Sequence, residues 1–309
     1  MDVLVVNAGS TSLKFRVVRG ETAEPVEGFV RADAVGHRVV HGGRRFVEPV
    51  VVDDEVERAI EELAVLAPLH NPPALKAIRR ARAALPDVPH VAVFDTAFHA
   101  TMPAAASTYA VPERWREEWD VHRYGFHGIN VQWVASQVDV PRLVVAHLGG
   151  GCSVTAVLDG RSVDTTMGFS PLEGVPMATR SGSVDPGALL YLLREKLVTE
   201  DELAGALEHD SGLAGLSGHV SGDVRDASPL ALDVFVHRVS AAIAAMAAAC
   251  GGIDVLAFTG GIGENAGDVR DRLVERVRFL GAFEAIVVPA GEELVIAAET
   301  RELLTRRCP

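Results

Sequence analysis

Arg180 is the residue in this 309-residue chain best placed to do chemistry. It stands in Met167–Gly187, MGFSPLEGVPMATRSGSVDPG, between Thr179 and the flexible pair Ser181-Gly182. A strong cation presented this way suits an anionic ligand. The segment is too rich in Gly, Pro and Ser for a helix or strand. Phe169, Leu172, Val175 and Met177 nevertheless give it apolar anchors, so it reads as an ordered loop. Long loops of that kind usually carry function. A structural crossover whose arginine pairs with a surface acid is the alternative.

Two glycine clusters offer a second kind of chemistry. His147-Leu148-Gly149-Gly150-Gly151 falls at a strand–strand turn, and Gly260-Gly261-Ile262-Gly263-Glu264-Asn265 forms a turn between a strand and a helix. Glycine lets backbone N–H groups approach phosphate oxygens closely. Neither cluster is a Walker A loop, since no Gly-Lys-Ser/Thr occurs in the chain, and neither completes GxGxxG. Each alone is as well explained by a plain tight turn. Together with a third polar turn, Asn7-Ala-Gly-Ser, they favour a nucleotide.

The histidines at 37, 41, 70, 99, 122, 127 and 147 invite a zinc reading, but none falls in HExxH or HxxEH spacing or beside a cysteine in a ligand pattern. His127 differs from the rest because Tyr124-Gly-Phe-His-Gly128 sets it between glycines beside an aromatic.

These residues need a scaffold. A chain of this length implies two domains, and 48% hydrophobic residues fit a compact protein. The formal net charge of −13 and a pI of about 5.3 argue against a nucleic-acid groove or an anionic membrane surface, so local cations and backbone amides must hold any anion. Cys152, Cys250 and Cys308 are too scattered for a disulfide framework and suit a reducing cytosol. The N-terminus lacks the pattern of a signal peptide, and alanine-rich 241–250 is too short to span a bilayer. The expected location is cytoplasmic.

Val3–Val6 reads as a strand covered on both faces, and Leu13–Val18 as its hairpin partner. Residues 19–35 form a connection with one edge strand, and 50–52 add another. Helices are expected from Asp53 or Asp54 to Pro68 and from Pro73 to about Pro86, with a buried strand at His90–Phe94 and a helix around Ile129–Val138. The hairpin pattern then recurs, with strands at Leu143–Leu148 and Ser153–Leu158 and a tight turn at Asp159-Gly160. Helices follow at 187–197, 199–208 (capping box Thr199/Glu202), 229–250 and 267–280, strands at Asp254–Thr259 and Ile286–Val288, and a last helix from Glu292. Two halves opening alike suggest a duplicated α/β unit with a cleft between the copies.

Read together, VNAGSTSLKF (6–15), GHRVVHGG (36–43), PLHNP (68–72), VFDTAFHATMP (93–103), RYGFHG (123–128), AHLGGG (146–151), MGFSPLEG and TRSGSVDPG (within 167–187), FTGGIGEN (258–265) and EELVIA (292–297) resemble the acetate/propionate kinase family of the acetate and sugar kinase, Hsc70 and actin superfamily. The resemblance runs in order over nearly the whole chain. It implies an α/β protein of two duplicated ribonuclease H-like (actin-like ATPase) domains with a central cleft. These would be 1–99 plus 292–309 on the carboxylate and phosphate side, and 100–291 on the nucleotide side. It further implies ATP/ADP and Mg2+, reversible phosphorylation of a small carboxylate, acetate first, to an acyl phosphate, and a homodimer through the second half. No nucleic acid or membrane partner is implied.

Carried over by motif, Arg38 and Arg180 would clamp the carboxylate and the transferring phosphoryl group, and His127 would hydrogen-bond the phosphoryl oxygens. Asp95 takes the family's acid–base position, although holding Arg38 or Arg180 in place suits it better. Asn7 and Glu292 match positions associated with Mg2+ and phosphate. Lys14, His147, Leu148, Gly149, Gly150, Gly151, Asp223, Arg225, Gly261, Ile262, Gly263, Glu264 and Asn265 match nucleotide positions. Val40, Leu69, Phe126 and Pro171 match a small apolar pocket for the acid's alkyl end. The chain also departs from the family. Gly150 replaces the asparagine of HLGNG, Ala178 and Ser183 replace Gly and Asp of GTRSGD, and Ile129-Asn130-Val131 replaces Thr-Ser-His. Most of the segment between the first hairpin and Gly36 is missing. A family member that binds nucleotide with weak, altered or no kinase activity, and a zinc hydrolase, are the competing readings.

Overall fold

Every residue of Val3–Ala8 is buried, because the strand they form (β1) lies mid-sheet with side chains packed on both faces. Val3 and Val5 point into one cluster with Val18, Val91, Val93, Ile129 and Ile296, while Leu4 and Val6 point into another with Val17, Val35, Ala74, Ala77 and Ala81. The two-residue alternation of a strand thus serves two cores at once. The computed structural model describes residues 1–8, 13–67, 70–218 and 221–307. The chain divides into a unit of Met1–Ala100, Phe126–Trp133 and Ala290–Pro309, and a second of Thr101–Gly125 and Val134–Pro289.

In the first unit, β1 pairs antiparallel with β2 (Leu13–Arg19), which pairs antiparallel with β3 (Thr22–Pro25). On its other side β1 runs parallel to β4 (Ala34–Val39), and β5 (Val50–Val51) edges β6 (His90–Phe94), giving the order β3-β2-β1-β4-β6-β5. No strand is expected from the sequence at 34–39, yet β4 is central. Its Gly36 explains both facts, since a glycine interrupts the apolar pattern. A Cβ at that position would come within 2.7 Å of Ile296 and 2.8 Å of Thr300, so the helix Glu292–Arg307 presses directly on the strand. On the opposite face lies the helix Asn71–Ala84, with Pro72 and Pro73 in its first turn. The helix Asp54–Glu62 is capped by Asp53, whose carboxylate accepts from the N–H groups of Glu55 and Val56.

Two buried histidines in this unit give it a predictable acid sensitivity. His37 Nε2 lies 3.0 Å from His90 Nδ1, and His99 Nε2 lies 2.9 Å from the Phe126 carbonyl oxygen. Burial, reinforced by His90, pulls the His37 imidazole down to about 3. Burial pulls His99 down to about 4 against that carbonyl. Both regain the ordinary value of 6.5 on unfolding, so below that pH the unfolded chain binds more protons than the native one. Their contribution is therefore complete above pH 6.5 and is lost progressively as pH falls towards 4 and then 3. Denaturant titrations should show unfolding free energy declining over that window, with a shallower slope in His99→Gln. An equal slope in the variant would remove His99 from the effect.

The second unit repeats the plan. Strands β7 (Arg142–Leu148), β8 (Cys152–Leu158) and β9 (Arg161–Thr165) form an antiparallel meander. β7 also runs parallel to β10 (Val255–Thr259), and β10 to β11 (Glu284–Val287). The order β11-β10-β7-β8-β9 matches that of the first unit from its β6 to β3. The duplicated ribonuclease H-like architecture expected from the sequence is what is found.

The apolar helix forms where the sequence places it, and the alanine-rich 241–250 is only its last part. Pro229–Ala249 has 21 residues, enough by length and composition alone to cross a membrane. Here Phe235, Val236, Val239 and Ile243 are completely buried against this unit's sheet, as in the core helix of a folded domain. A correction concerns Gly260–Asn265, which is a short helix rather than a turn. The capping box at Thr199 and Glu202 is present, and residues 166–185 contain no helix or strand.

Candidate active site

β1, β4 and β6 end side by side in the first unit, and their ends carry its polar residues. The β1–β4 register sets Asn7 opposite Arg38, and β6 delivers Asp95 one residue beyond Phe94. Arg38 donates from Nε (3.0 Å) and Nη2 (2.5 Å) to Asp95 Oδ2, and from Nη1 to Asn7 Oδ1 at 3.3 Å. Asn7 Nδ2 donates to Glu292 Oε2 at 3.2 Å, so the four side chains form one line. Asp95 is 1% exposed and the Arg38 side chain 15%. Burial pulls the guanidinium down, but Asp95 and then Glu292 outweigh it and hold the arginine firmly charged. Burial likewise pushes the Asp95 carboxyl up, with Arg38 opposing; two guanidinium N–H groups on one oxygen fit an ionised pair.

His127 stands at the start of the helix Gly128–Gln137 in a left-handed conformation, φ +61°. Such a backbone costs a non-glycine residue free energy and tends to persist where the surroundings impose it. The constraint is visible. Gly128 N–H donates to the Asp95 carbonyl at 2.9 Å, and a Cβ on Gly128 would sit 2.1 Å from that oxygen. Only glycine lets His127 and Asp95 come so close in the fold, a requirement that sequence reasoning missed although Gly128 lies in the quoted RYGFHG motif. The departures Ile129 and Val131 are core residues, 1% and 0% exposed.

The remaining first-unit candidates are less tightly grouped. Lys14, which the sequence grouped with the glycine clusters, lies on β2 of the first unit opposite Asn7 and is exposed. Val40 and Phe126 are buried, and the Phe126 ring stands edge-on to His41 at 5.4 Å. Leu69 lies outside the described residues, and Pro171 belongs to the second unit.

In the second unit the two glycine clusters adjoin, because β7 and β10 are parallel neighbours whose ends match, His147 opposite Thr259. The turn Gly149–Gly151 closes with Gly149 N–H donating to the Gly151 carbonyl at 3.0 Å. Gly260 has φ +80°, and a Cβ there would meet the Leu148 carbonyl at 2.8 Å. By contrast, a Cβ on Gly150 or Gly261 would meet nothing within 4 Å. Those two positions open onto a groove of about 530 Å³ lined also by Gly149, Gly222, Asp223, Arg225, Ile262 and Asn265. Its size and bare backbone suit a nucleotide. Leu148, Gly263 and Thr259 are buried beneath it, and Glu264 accepts from Gly260 N–H at 3.1 Å. Asp223 accepts from the Arg225 side chain and backbone N–H, which holds its carboxyl down at about 2.

A larger cavity of about 670 Å³ lies elsewhere in this unit and holds neither glycine cluster. Size alone therefore does not choose between the two; the bare glycine backbone is what distinguishes the groove.

Arg180 is positioned without regular secondary structure. Its carbonyl accepts from Met177 N–H, Thr179 Oγ1 donates to the Glu208 carbonyl, Ser181 N–H to the Leu207 carbonyl, and Ser211 N–H to the Thr179 carbonyl. Ser183 Oγ accepts from Gly174 N–H at 3.0 Å, so the serine standing for the family's aspartate closes the base of this loop. Burial lowers the Arg180 guanidinium, with Glu208 opposing. Sequence reasoning also missed Arg123, whose Nη1 donates to the carbonyls of Thr165, Thr166 and Met167 and whose Nη2 donates to Glu173. Among the described residues no group of three or more His, Cys, Asp or Glu could hold a metal, which removes support from the zinc reading.

The sequence profile of the Acetokinase family matches residues 27–302. The acetate kinase of Deinococcus deserti is 44% identical over 338 aligned residues, covering 96% of this chain and 84% of that protein. The solved structure of Porphyromonas gingivalis acetate kinase aligns with a TM-score of 0.88 and 31% identity, over 98% of this chain and 100% of that one. A propionate kinase from Francisella tularensis aligns with a TM-score of 0.88 and 31% identity, over 96% and 98%.

Proposed function

The chain belongs to the acetokinase family, and on that premise we propose that it transfers the γ-phosphoryl group of ATP reversibly to a short-chain carboxylate, acetate foremost, giving an acyl phosphate and ADP. The reaction is a direct in-line displacement in which a carboxylate oxygen bonds to the γ-phosphorus as the bond to the ADP oxygen breaks. An acid with a pKa of about 4–5 is already the anion at neutral pH, so no strong base is required. The obstacle is repulsion between that anion and the triphosphate, and catalysis rests on positioning and charge neutralisation.

The observation that most supports this reading is the buried Arg38–Asp95 pair, which keeps a charged guanidinium fixed at a strand end. In the proposed roles Arg38 orients the carboxylate and His127 donates to the phosphoryl oxygens. Arg180 stabilises the charge that develops on the group in transit, and Asp95 positions Arg38. The groove at Gly149, Gly150 and Gly261 takes the nucleotide. Glu292 would offer Mg2+ a carboxylate oxygen, a donor that suits an ion sharing its shell with phosphate and water. Asn7, whose Nδ2 donates to Glu292 and whose Oδ1 accepts from Arg38, would hold that carboxylate in place. When bound, Mg2+ would offset phosphate charge.

We further propose a cytoplasmic homodimer formed through the second unit, where Leu190, Tyr191, Leu197 and Leu230 are 47–62% exposed. Light scattering should give twice the chain mass.

The deciding experiment is hydroxamate trapping with ATP, Mg2+ and a series of acids from formate to butyrate. Acetate is expected to give the highest kcat/KM, and no acyl phosphate above blank with any acid would overturn the proposal. A peak at propionate or butyrate would favour the second reading, altered acid preference. The open space at Gly150 adds a milder prediction. Gly150→Asn should fold normally and lower the KM for ATP by about two- to tenfold, the worth of one added hydrogen bond. An unchanged KM would show that the amide does not reach the phosphates.

A further inference from the structure

Two of the departures from the family's motifs meet in space. Ala178 N–H donates to the Gly150 carbonyl at 3.3 Å, so the residues standing for the family's glycine and asparagine are hydrogen-bonded neighbours. The methyl group of Ala178 does not line the nucleotide groove; it faces Gly222, which does. A Cβ built on Gly222 would lie 2.8 Å from the Ala178 Cβ, 2.9 Å from its carbonyl oxygen and 3.1 Å from its carbonyl carbon. Gly222 does not have a left-handed φ, so space rather than backbone conformation requires glycine there.

We propose that Ala178 and Gly222 are a volume-matched pair that positions Asp223 and Arg225 on the groove wall, making residue 222 a determinant of nucleotide affinity. Which side yields when the pair is overfilled depends on how each is held. Ala178 is held at both ends, its N–H on the Gly150 carbonyl and its carbonyl accepting from Ala214 N–H at 2.9 Å. Pressure from residue 222 is therefore relieved by movement of 222 itself and of Asp223, which follows it in the chain. Asp223 carries Arg225 with it through the bonds to that residue's backbone and guanidinium N–H groups. The alanine at 178 is then compensated rather than disruptive, because the methyl gained there stands where residue 222 has no side chain.

The inference rests on the nucleotide reading of the groove, and its test separates the two. KM for ATP, KM for acetate, kcat and thermal midpoint are measured for wild type, Ala178→Gly, Gly222→Ala and the double variant, with calorimetric ADP binding to wild type. Gly222→Ala should raise the KM for ATP about tenfold with the KM for acetate little changed, as overfilling a held contact forces its neighbours to shift. Ala178→Gly should recover at least about threefold of that loss, since the methyl contact is gone and only the carbonyl contact remains. Should Gly222→Ala fail to fold, a folded double variant with a KM for ATP within about threefold of wild type supports the pairing, and one with a larger rise overturns it. A double variant that also fails to fold, an unchanged KM in Gly222→Ala, or an equal rise in both backgrounds overturns it. Absence of ADP binding to wild type would instead sink the nucleotide reading, while coupling between residues 178 and 222 in thermal midpoint would remain.

Discussion

Arg180→Ala lowers kcat at least about a hundredfold while the protein keeps its fold. The first half of that expectation follows from the charge Arg180 would neutralise, since a preorganised donor aimed at developing charge is worth about two to three powers of ten. The second half follows from how the residue is held. The loop depends on its backbone and on Thr179, Ser181, Ser183 and Ser211, none of which is altered by truncating Arg180. Removing the side chain takes away a charge and its weak contact with Met177 Sδ at 3.8 Å while leaving those backbone and hydroxyl bonds in place. Arg180→Lys should fall between wild type and Arg180→Ala, because lysine restores a point charge but not a planar fork. The measurement is kcat for acyl phosphate formation beside a thermal melt of the same preparation. An unchanged kcat would remove Arg180 from the reaction, and a collapsed melt would show that the side chain also holds the loop.

The Arg38–Asp95 pair should give the largest stability effect. Breaking a buried ion pair by deleting one partner costs about 3–5 kcal/mol, since the other charge is left without compensation. Arg38→Ala leaves a carboxylate that is 1% exposed, whose Oδ1 already lacks a hydrogen-bond partner of good geometry. Asp95→Ala leaves a guanidinium with more access to solvent and with Glu292 close enough to favour its charge, so the loss should be smaller. Replacing both, as Arg38→Met with Asp95→Leu, should recover much of the stability and none of the activity. Denaturant titration of the four proteins checks this. Losses below about 1 kcal/mol in both single variants would mean that the pair behaves as a solvent-exposed one. Activity carries the complementary information. Asp95→Asn keeps the shape but weakens the hold on Arg38, so it should impair carboxylate use more than ATP binding.

Local signals were legible along the chain. The uninterrupted apolar run of β1, the hairpin that follows it, the capping box at Thr199 and the proline-opened helices are readable because neighbouring residues fix them. The strand β4 was not, although it carries Arg38, because Gly36 and a charged side chain break the apolar pattern that marks a buried strand. The helical path of Gly260–Asn265 was also hidden, since a glycine-rich stretch satisfies a turn as easily as one helical turn.

By itself, the sequence determined the family, the duplicated α/β plan, the position of the glycine clusters and the identity of the charged residues, because each is a matter of residue type and short spacing. Only the tertiary structure decided which of them meet. Arg38 finds Asp95 across 57 residues through the register of β4 with β6, and Asn7 reaches Glu292 across 285. The glycine clusters adjoin because β7 and β10 pair in parallel, and Ala178 rests against Gly222 because a loop is strapped to helix ends elsewhere in the unit. Contacts of that kind depend on strand register and packing between distant segments, and no short window of sequence contains both partners.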